Sequence, residues 1–248
     1  MDSRLLKLNF TSALDLILPR TCIVCGRTLS PGENHICLVC DMQFPYTHSE
    51  LCLRNRMADY YNERLCEKLP EEYIPYQRAI ALMSYRADSP YSRIPWSLKY
   101  GSDTAAGRYF SRRLAEKIRL APWLDDVDLI VPVPLHPRRR WKRGYNQAEV
   151  IARELGRVLG VRVEAHLLEK ARYTKSQVSM TTAQRGQNIL GSFRIKASCL
   201  RALKGAGHIL LVDDVFTTGA TLSECHKTIR TALDGTVRIS VATLACVE

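Results

Sequence analysis

The sequence predicts an α/β fold: a parallel sheet with helices on both faces, preceded by a small N-terminal zinc-finger module built on four cysteines. Three observations predict it. From Asp128 onward, short apolar runs alternate with amphipathic segments of helical period. One apolar run, Ile209-Leu-Leu-Val212, leads into two adjacent carboxylates, a Thr-Gly-Thr turn and a helical segment. Two Cys-x-x-Cys pairs, Cys22/Cys25 and Cys37/Cys40, stand near the N-terminus.

The elements follow in order. Residues 1–19 carry Leu5, Leu6, Leu8, Phe10, Leu14, Leu16, Ile17 and Leu18, interrupted by Asp2, Lys7, Asn9 and Asp15. That reads as an amphipathic helix docking on the body, not as a signal peptide or a membrane span. Pro19 ends it, and the cysteine module occupies 20–48. The remainder, 49–248, is expected to form the α/β domain. Residues 49–68 read as a charged helix and Ala79–Tyr85 as a strand. Pro90, Pro95 and Gly101 break the stretch around Trp96–Tyr100. Gly107–Leu120 is helical, with Phe110, Leu114 and Ile118 recurring at i+4. Leu129–Val133 is a buried strand running into a Pro-rich loop, Asn146–Leu159 a helix and Val161–Leu168 a second strand. A polar loop starts at Ala171, and Phe193–Ile195 is a short strand. His208–Val212 is the central strand, Leu222–Leu233 its helix, and Val237–Leu244 the final strand. Ligands of such sheets bind outside the carboxyl ends of the strands. Pro132–Arg143, Tyr173–Arg185 and Asp213–Thr221 are all expected there.

The spacing Cys22-x-x-Cys25, eleven residues, Cys37-x-x-Cys40 is a zinc pattern. Four thiolates so spaced close a tetrahedron at about 2.3 Å from the metal, and a closed set leaves no open position for substrate. A structural zinc is therefore expected. Gly26 and Gly32 suit the turns, and His35, His48 and Cys52 are spare ligands. The nine cysteines show no disulfide framework, which fits reduced thiols and a cytoplasmic location.

Asp213-Asp214-Val215-Phe216-Thr217-Thr218-Gly219-Ala220-Thr221 follows the central strand. Backbone N–H groups at the helix start, with the positive end of its dipole, hold a phosphate. Gly219 lets the backbone approach it closely, and Thr217, Thr218 and Thr221 add hydroxyl donors. Asp213 and Asp214 are placed to accept hydrogen bonds from the hydroxyls of a sugar. Capping alone needs only one such side chain.

Arg138, Arg139, Arg140, Lys142 and Arg143 put five cations in six positions, interleaved with Trp141 and Tyr145. Cations that follow phosphates and rings that stack on bases suit single-stranded nucleic acid. The same arginines suit a pyrophosphate. Asn146 and Gln147 open the next helix, where their amides can point at the same anion. Arg172, Gln177 and Arg185 lie after the second strand. A formal net charge of +11 over 248 residues favours a polyanionic partner or a phosphorylated substrate.

The Asp213–Thr221 motif resembles the 5-phosphoribosyl-1-pyrophosphate (PRPP) signature of type I phosphoribosyltransferases. With the double Cys-x-x-Cys, Leu98-Lys-Tyr100, Val131-Pro-Val-Pro-Leu-His-Pro137, Arg143-Gly-Tyr-Asn-Gln147, Arg172-x-Thr-x-x-Gln177 and Arg185-x-x-Asn188, the chain resembles the ComF family of competence proteins. That resemblance implies a phosphoribosyltransferase-like domain with a zinc finger added, PRPP bound with Mg²⁺, and a hood loop over the ligand at 172–185. It further implies a role in natural transformation, handling single-stranded DNA beside a helicase-like partner. An active phosphoribosyltransferase of nucleotide or nucleoside metabolism is the alternative. Glutamine-dependent amidation, often attached to such sequences, is not expected, because it needs a catalytic N-terminal cysteine and residue 2 is Asp.

Overall fold

A computed structural model of the chain describes residues 19–69, 74–101, 103–170, 191–233 and 237–248. The expected N-terminal helix over 1–19 lies outside them, apart from Pro19. In chain order the helices are α1 (Leu38–Met42), α2 (Arg56–Lys68), α3 (Arg93–Tyr100), α4 (Thr104–Arg119), α5 (Pro137–Arg143), α6 (Gln147–Leu159), α7 (Leu200–Lys204) and α8 (Ala220–Ala232). The strands are β1 (Ala79–Tyr85), β2 (Leu129–Pro132), β3 (Arg162–Val163), β4 (Leu168–Lys170), β5 (Phe193–Ile195), β6 (His208–Phe216) and β7 (Arg238–Val247). Five strands form one sheet in the order β1-β7-β6-β2-β3, every pairing parallel. β4 and β5 form a separate antiparallel pair.

Alternation along the strands divides the apolar residues between two cores. Leu210 and Val212 of β6 and Ile130 of β2 point to one face, where Phe110, Leu114 and Ile118 of α4 meet Ile151, Ala152 and Leu155 of α6. Ile209 and Leu211 of β6 and Leu129 and Val131 of β2 point to the other, onto Met57, Tyr61 and Leu65 of α2 and Leu222, Cys225 and Ile229 of α8. A strand clothed on both sides must be apolar at every position, as Ile209–Val212 is. The expected layering is therefore the observed one. The cysteine module packs on the α4/α6 face through Cys22, Val24, Ile36 and Phe44.

Beyond shifts of a few residues at element ends, four stretches depart from what the sequence predicts. Helix α2 starts only at Arg56, because the Asn55 side chain caps it by accepting from the Ala58 N–H at 3.0 Å. Trp96–Tyr100 is not a broken stretch but the end of α3. Pro95 sits in the first turn, where no N–H partner is needed. The loop expected over Pro132–Arg143 ends early, since His136 caps a helix over Pro137–Arg143. Of the strand expected at Val161–Leu168, only Arg162 and Val163 pair with the sheet. Leu167 and Leu168 instead turn into the α8-side core, and Leu168–Lys170 pairs with Phe193–Ile195.

Candidate functional site

β6 runs longer than its apolar stretch, so Asp213 and Asp214 lie inside the strand, with Asp213 opposite Thr243 of β7. Period-two alternation sends the two carboxyl groups to opposite faces. The Asp214 N–H donates to Asp213 Oδ1 at 2.8 Å. Beyond Phe216 the chain turns through Thr217–Gly219 into α8. Gly219 is left-handed at φ 68°, and a Cβ there would meet the Phe216 ring at 2.9 Å. Only glycine makes this turn without strain and clash.

This turn and the ends of β2 and β6 enclose a cleft of about 560 Å³. Its lining includes Asp213, Asp214 and the whole run Val215–Thr221. Arg139, Lys142 and Arg143 of α5 face it, as do Asn146 and Gln147. Two lysines that the sequence reading left out of the site also line it, Lys99 at the end of α3 and Lys170 at the end of β4. Lys99 lay within the Leu98-Lys-Tyr100 motif, which was the one available signal. Lys170 had none, because only the β4–β5 pair brings it to the cleft.

The charges interact strongly. Lys99 Nζ is 3.1 Å from Asp214 Oδ2. Burial opposes the Lys99 charge, but Asp214 and Asp213 outweigh it and hold the ammonium above its ordinary range. Burial, and then the Asp214 charge, push the Asp213 carboxyl up to about 7, against the pull of the Asp214 N–H, Lys99 and Lys170. Burial lowers Lys170. The site thus holds one carboxylate paired with a cation and a second poised to change charge near neutrality.

The remaining basic and polar residues divide. Arg140 is drawn away to Glu149 at 3.3 Å, and neither it nor Arg138 lines the cleft. Trp141 is 90% exposed. Tyr145 donates its hydroxyl to the Leu98 carbonyl, and Gln147 Nε2 donates to the same oxygen at 3.2 Å. Asn146 Nδ2 donates to the Val133 carbonyl at 2.9 Å. Those amides fix the backbone around Lys99 and Val133, while Gln147 Oε1 accepts from Arg143 at 3.1 Å. Arg172, Gln177 and Arg185 lie outside the described residues.

In the N-terminal module the four sulfurs of Cys22, Cys25, Cys37 and Cys40 lie within 4.8 Å of one another. Cys25 and Cys37 Sγ are 3.7 Å apart, close to the edge of about 3.8 Å that a tetrahedron of 2.3 Å bonds requires. The Cys37 N–H donates to Cys22 Sγ at 3.3 Å, which steadies a thiolate. Gly26 and Gly32 take left-handed φ of 76° and 93°, as their turns require. The donor set fits a closed zinc site. His35 instead packs at a tilt against the Tyr109 ring and lies 3.8 Å from Asp103, His48 lies 3.7 Å from Glu50, and Cys52 is exposed. These spare ligands are not part of the cluster.

Comparison with known proteins agrees with this anatomy. Residues 13–69 match the family model described as "Double zinc ribbon domain". Among the described residues one four-cysteine set is present. The chain is 29% identical to DNA utilization protein YhgH of Escherichia coli K12 over 212 residues, covering 84% of this chain and 90% of that protein. It is 29% identical to Competence protein F of Haemophilus influenzae over 218 residues, again 84% and 90%. With Competence protein ComFC of Streptococcus pneumoniae it shares 24% over 227 residues, 85% and 94%. No helix among the described residues is long and apolar enough to cross a membrane. With a zinc-ribbon module on a parallel α/β body, the chain is similar over most of its length to proteins named for competence and DNA utilization.

Proposed function

We propose that this chain acts in DNA uptake or utilization, binding a phosphoribosyl ligand such as PRPP in the 560 Å³ cleft and single-stranded DNA on the adjoining basic surface. The observation that carries the reading is a cleft in which an acid pair, a glycine-hinged phosphate loop and five cations meet: Lys99, Arg139, Lys142, Arg143 and Lys170. Residues 217–221 bind the 5′-phosphate through backbone N–H groups and threonine hydroxyls. Asp213 and Asp214 accept from the ribose hydroxyls, and Arg139, Lys142 and Arg143 take the pyrophosphate. Mg²⁺ arriving with such a ligand would neutralise part of the pyrophosphate charge beside Asp213 and Asp214. Trp141, the most exposed large ring among the described residues, stacks on a DNA base beside the α5 cations. A cytoplasmic location and a helicase-like partner fit the same role.

Turnover as a phosphoribosyltransferase is a second reading, favoured by the acid pair itself. Carboxylates beside the ribose steady the cation that develops as pyrophosphate leaves. Calorimetry with PRPP and Mg²⁺, together with oligonucleotide binding at several salt concentrations, tests the first reading. Absence of PRPP binding removes the ligand, and a flat salt dependence removes the phosphate-contact mode. Pyrophosphate release from PRPP with a panel of acceptors tests the second. It must vanish in Asp213→Asn with Asp214→Asn.

A further inference from the structure

The carboxyl ends of β1, β6 and β7 open onto a second cleft of about 580 Å³, on the other side of the phosphate loop. Phe216, Thr217 and Thr218 line both clefts, so the loop is a shared wall. The far wall is α2, which presents Arg56, Tyr60 and Arg64. Their spacing of four residues places them on one helix face, about 6 Å apart along the axis. Tyr60 is 46% exposed, with its ring available for contact. The Arg64 stem reaches the loop itself: a Cβ on Gly219 would lie 3.8 Å from Arg64 Cγ. The Arg64 guanidinium pairs with the exposed Glu67 at 2.6 Å, a surface pair that a phosphate can displace. Glu248 supplies the acidic side chain of the lining, and Arg56 and Arg64 its two guanidinium groups. Burial pushes the Cys246 thiol up to about 11, so it serves as wall and not as nucleophile.

A cation, an aromatic ring and a cation in line along about 12 Å of helix, ending at a phosphate-binding loop, suit a single strand, whose phosphates the long guanidinium arms can reach while a base meets the ring. A cleft of this size holds a small ligand, and bases stacked inside a duplex cannot reach Tyr60. We propose that the second cleft is a nucleotide subsite for single-stranded DNA. The base stacks on Tyr60, and the flanking phosphates sit on Arg56 and Arg64. The inference rests on the reading that the chain handles single-stranded DNA, and it places the strand on α2 as well as α5.

The test is fluorescence anisotropy of a labelled oligothymidylate with the full zinc-loaded chain, at several salt concentrations. Tyr60→Ala, Tyr60→Phe and Arg56→Gln are compared with the wild type, and PRPP calorimetry is run on each. Tyr60→Ala should weaken oligonucleotide binding about tenfold, the range of one stacked base, while Tyr60→Phe retains it. Arg56→Gln should lower the slope of log K against log salt by about 0.7, one phosphate contact on a single strand. PRPP affinity should not move. If the wild type binds the oligonucleotide and all three variants bind it equally well with the same slope, the subsite is overturned while the DNA reading stands. If the wild type does not bind it, that reading falls and the subsite with it. Should Tyr60→Ala prove unstable by thermal unfolding, Arg56→Gln decides alone.

Discussion

Lys99 Nζ stands 3.1 Å from Asp214 Oδ2, so the end of α3 supplies the counter-charge to an acid embedded in the central strand. The pair is partly exposed, at 28% for the lysine side chain and 11% for the aspartate. Without it, two successive carboxylates of one strand would lose their nearest cation. Replacing Lys99→Met should therefore raise the Asp213 titration above about 7, read by carboxyl carbon NMR. It should also cost about 1–3 kcal/mol in denaturant unfolding at pH 8, the fully buried figure reduced for partial exposure. An unchanged Asp213 titration would show that the ammonium does not control the pair.

The raised Asp213 carboxyl fixes a sign for the pH dependence. Between its ordinary value near 3.8 and about 7, the folded chain holds a proton that the unfolded chain has lost. This group's contribution is fully present below about 4 and is lost as pH rises through 7. His208, lowered to about 4 mainly by burial, and His226, lowered to about 3 by burial, act in the opposite direction. Their contributions are present above about 6.5 and are lost as pH falls. The Asp213 effect is isolated by comparing Asp213→Asn with the wild type. The variant should gain stability relative to wild type as pH goes from 5 to 8. A constant difference across that range contradicts the shift.

At Gly219, both the left-handed φ of 68° and the Phe216 ring 2.9 Å from an added Cβ oppose any side chain. Gly219→Ala should lower stability by about 1–3 kcal/mol and weaken PRPP binding more than tenfold. Adding Phe216→Ala removes the clash and leaves the φ strain. The double variant should still bind PRPP poorly. Full recovery of affinity would assign the cost to the ring alone.

The cysteine module is tied to the body by polar contacts at its metal knuckles. Tyr91 donates to the Cys40 carbonyl at 2.8 Å, Arg93 donates to the Val24 carbonyl at 2.8 Å, and Arg113 pairs with Asp41 at 2.6 Å. Elemental analysis should find one zinc per chain, from the single four-cysteine set among the described residues. Cys37→Ser should lose it and lower the melting temperature, because the knuckle carbonyls then lose their fixed positions. Retention of zinc in Cys37→Ser would mean that another group completes the site.

The sequence by itself determined the local chemistry. Ile209–Val212 had to be a strand buried on both faces, Gly107–Leu120 and Asn146–Leu159 had to be helices, and the four cysteines had to converge. Periodicity and fixed spacing encode such features within a few turns of chain. The Asp213–Thr221 motif was legible for the same reason, since strand, turn and helix start are contiguous. The tertiary structure alone decided what meets that motif. Lys99 lies more than a hundred residues before Asp214, and Lys170 reaches the cleft only because Leu167 and Leu168 turn away from the sheet. Helix α5 directs Arg139, Lys142 and Arg143 inward but gives Arg140 to Glu149, a division that a run of like charges cannot reveal. The Arg56–Tyr60–Arg64 face was equally hidden. Its spacing is visible in sequence, but only the parallel order β1-β7-β6 brings α2 beside the Thr217–Gly219 turn. Charge pairs and cleft walls depend on which distant segments the core packs together, and no local pattern records that.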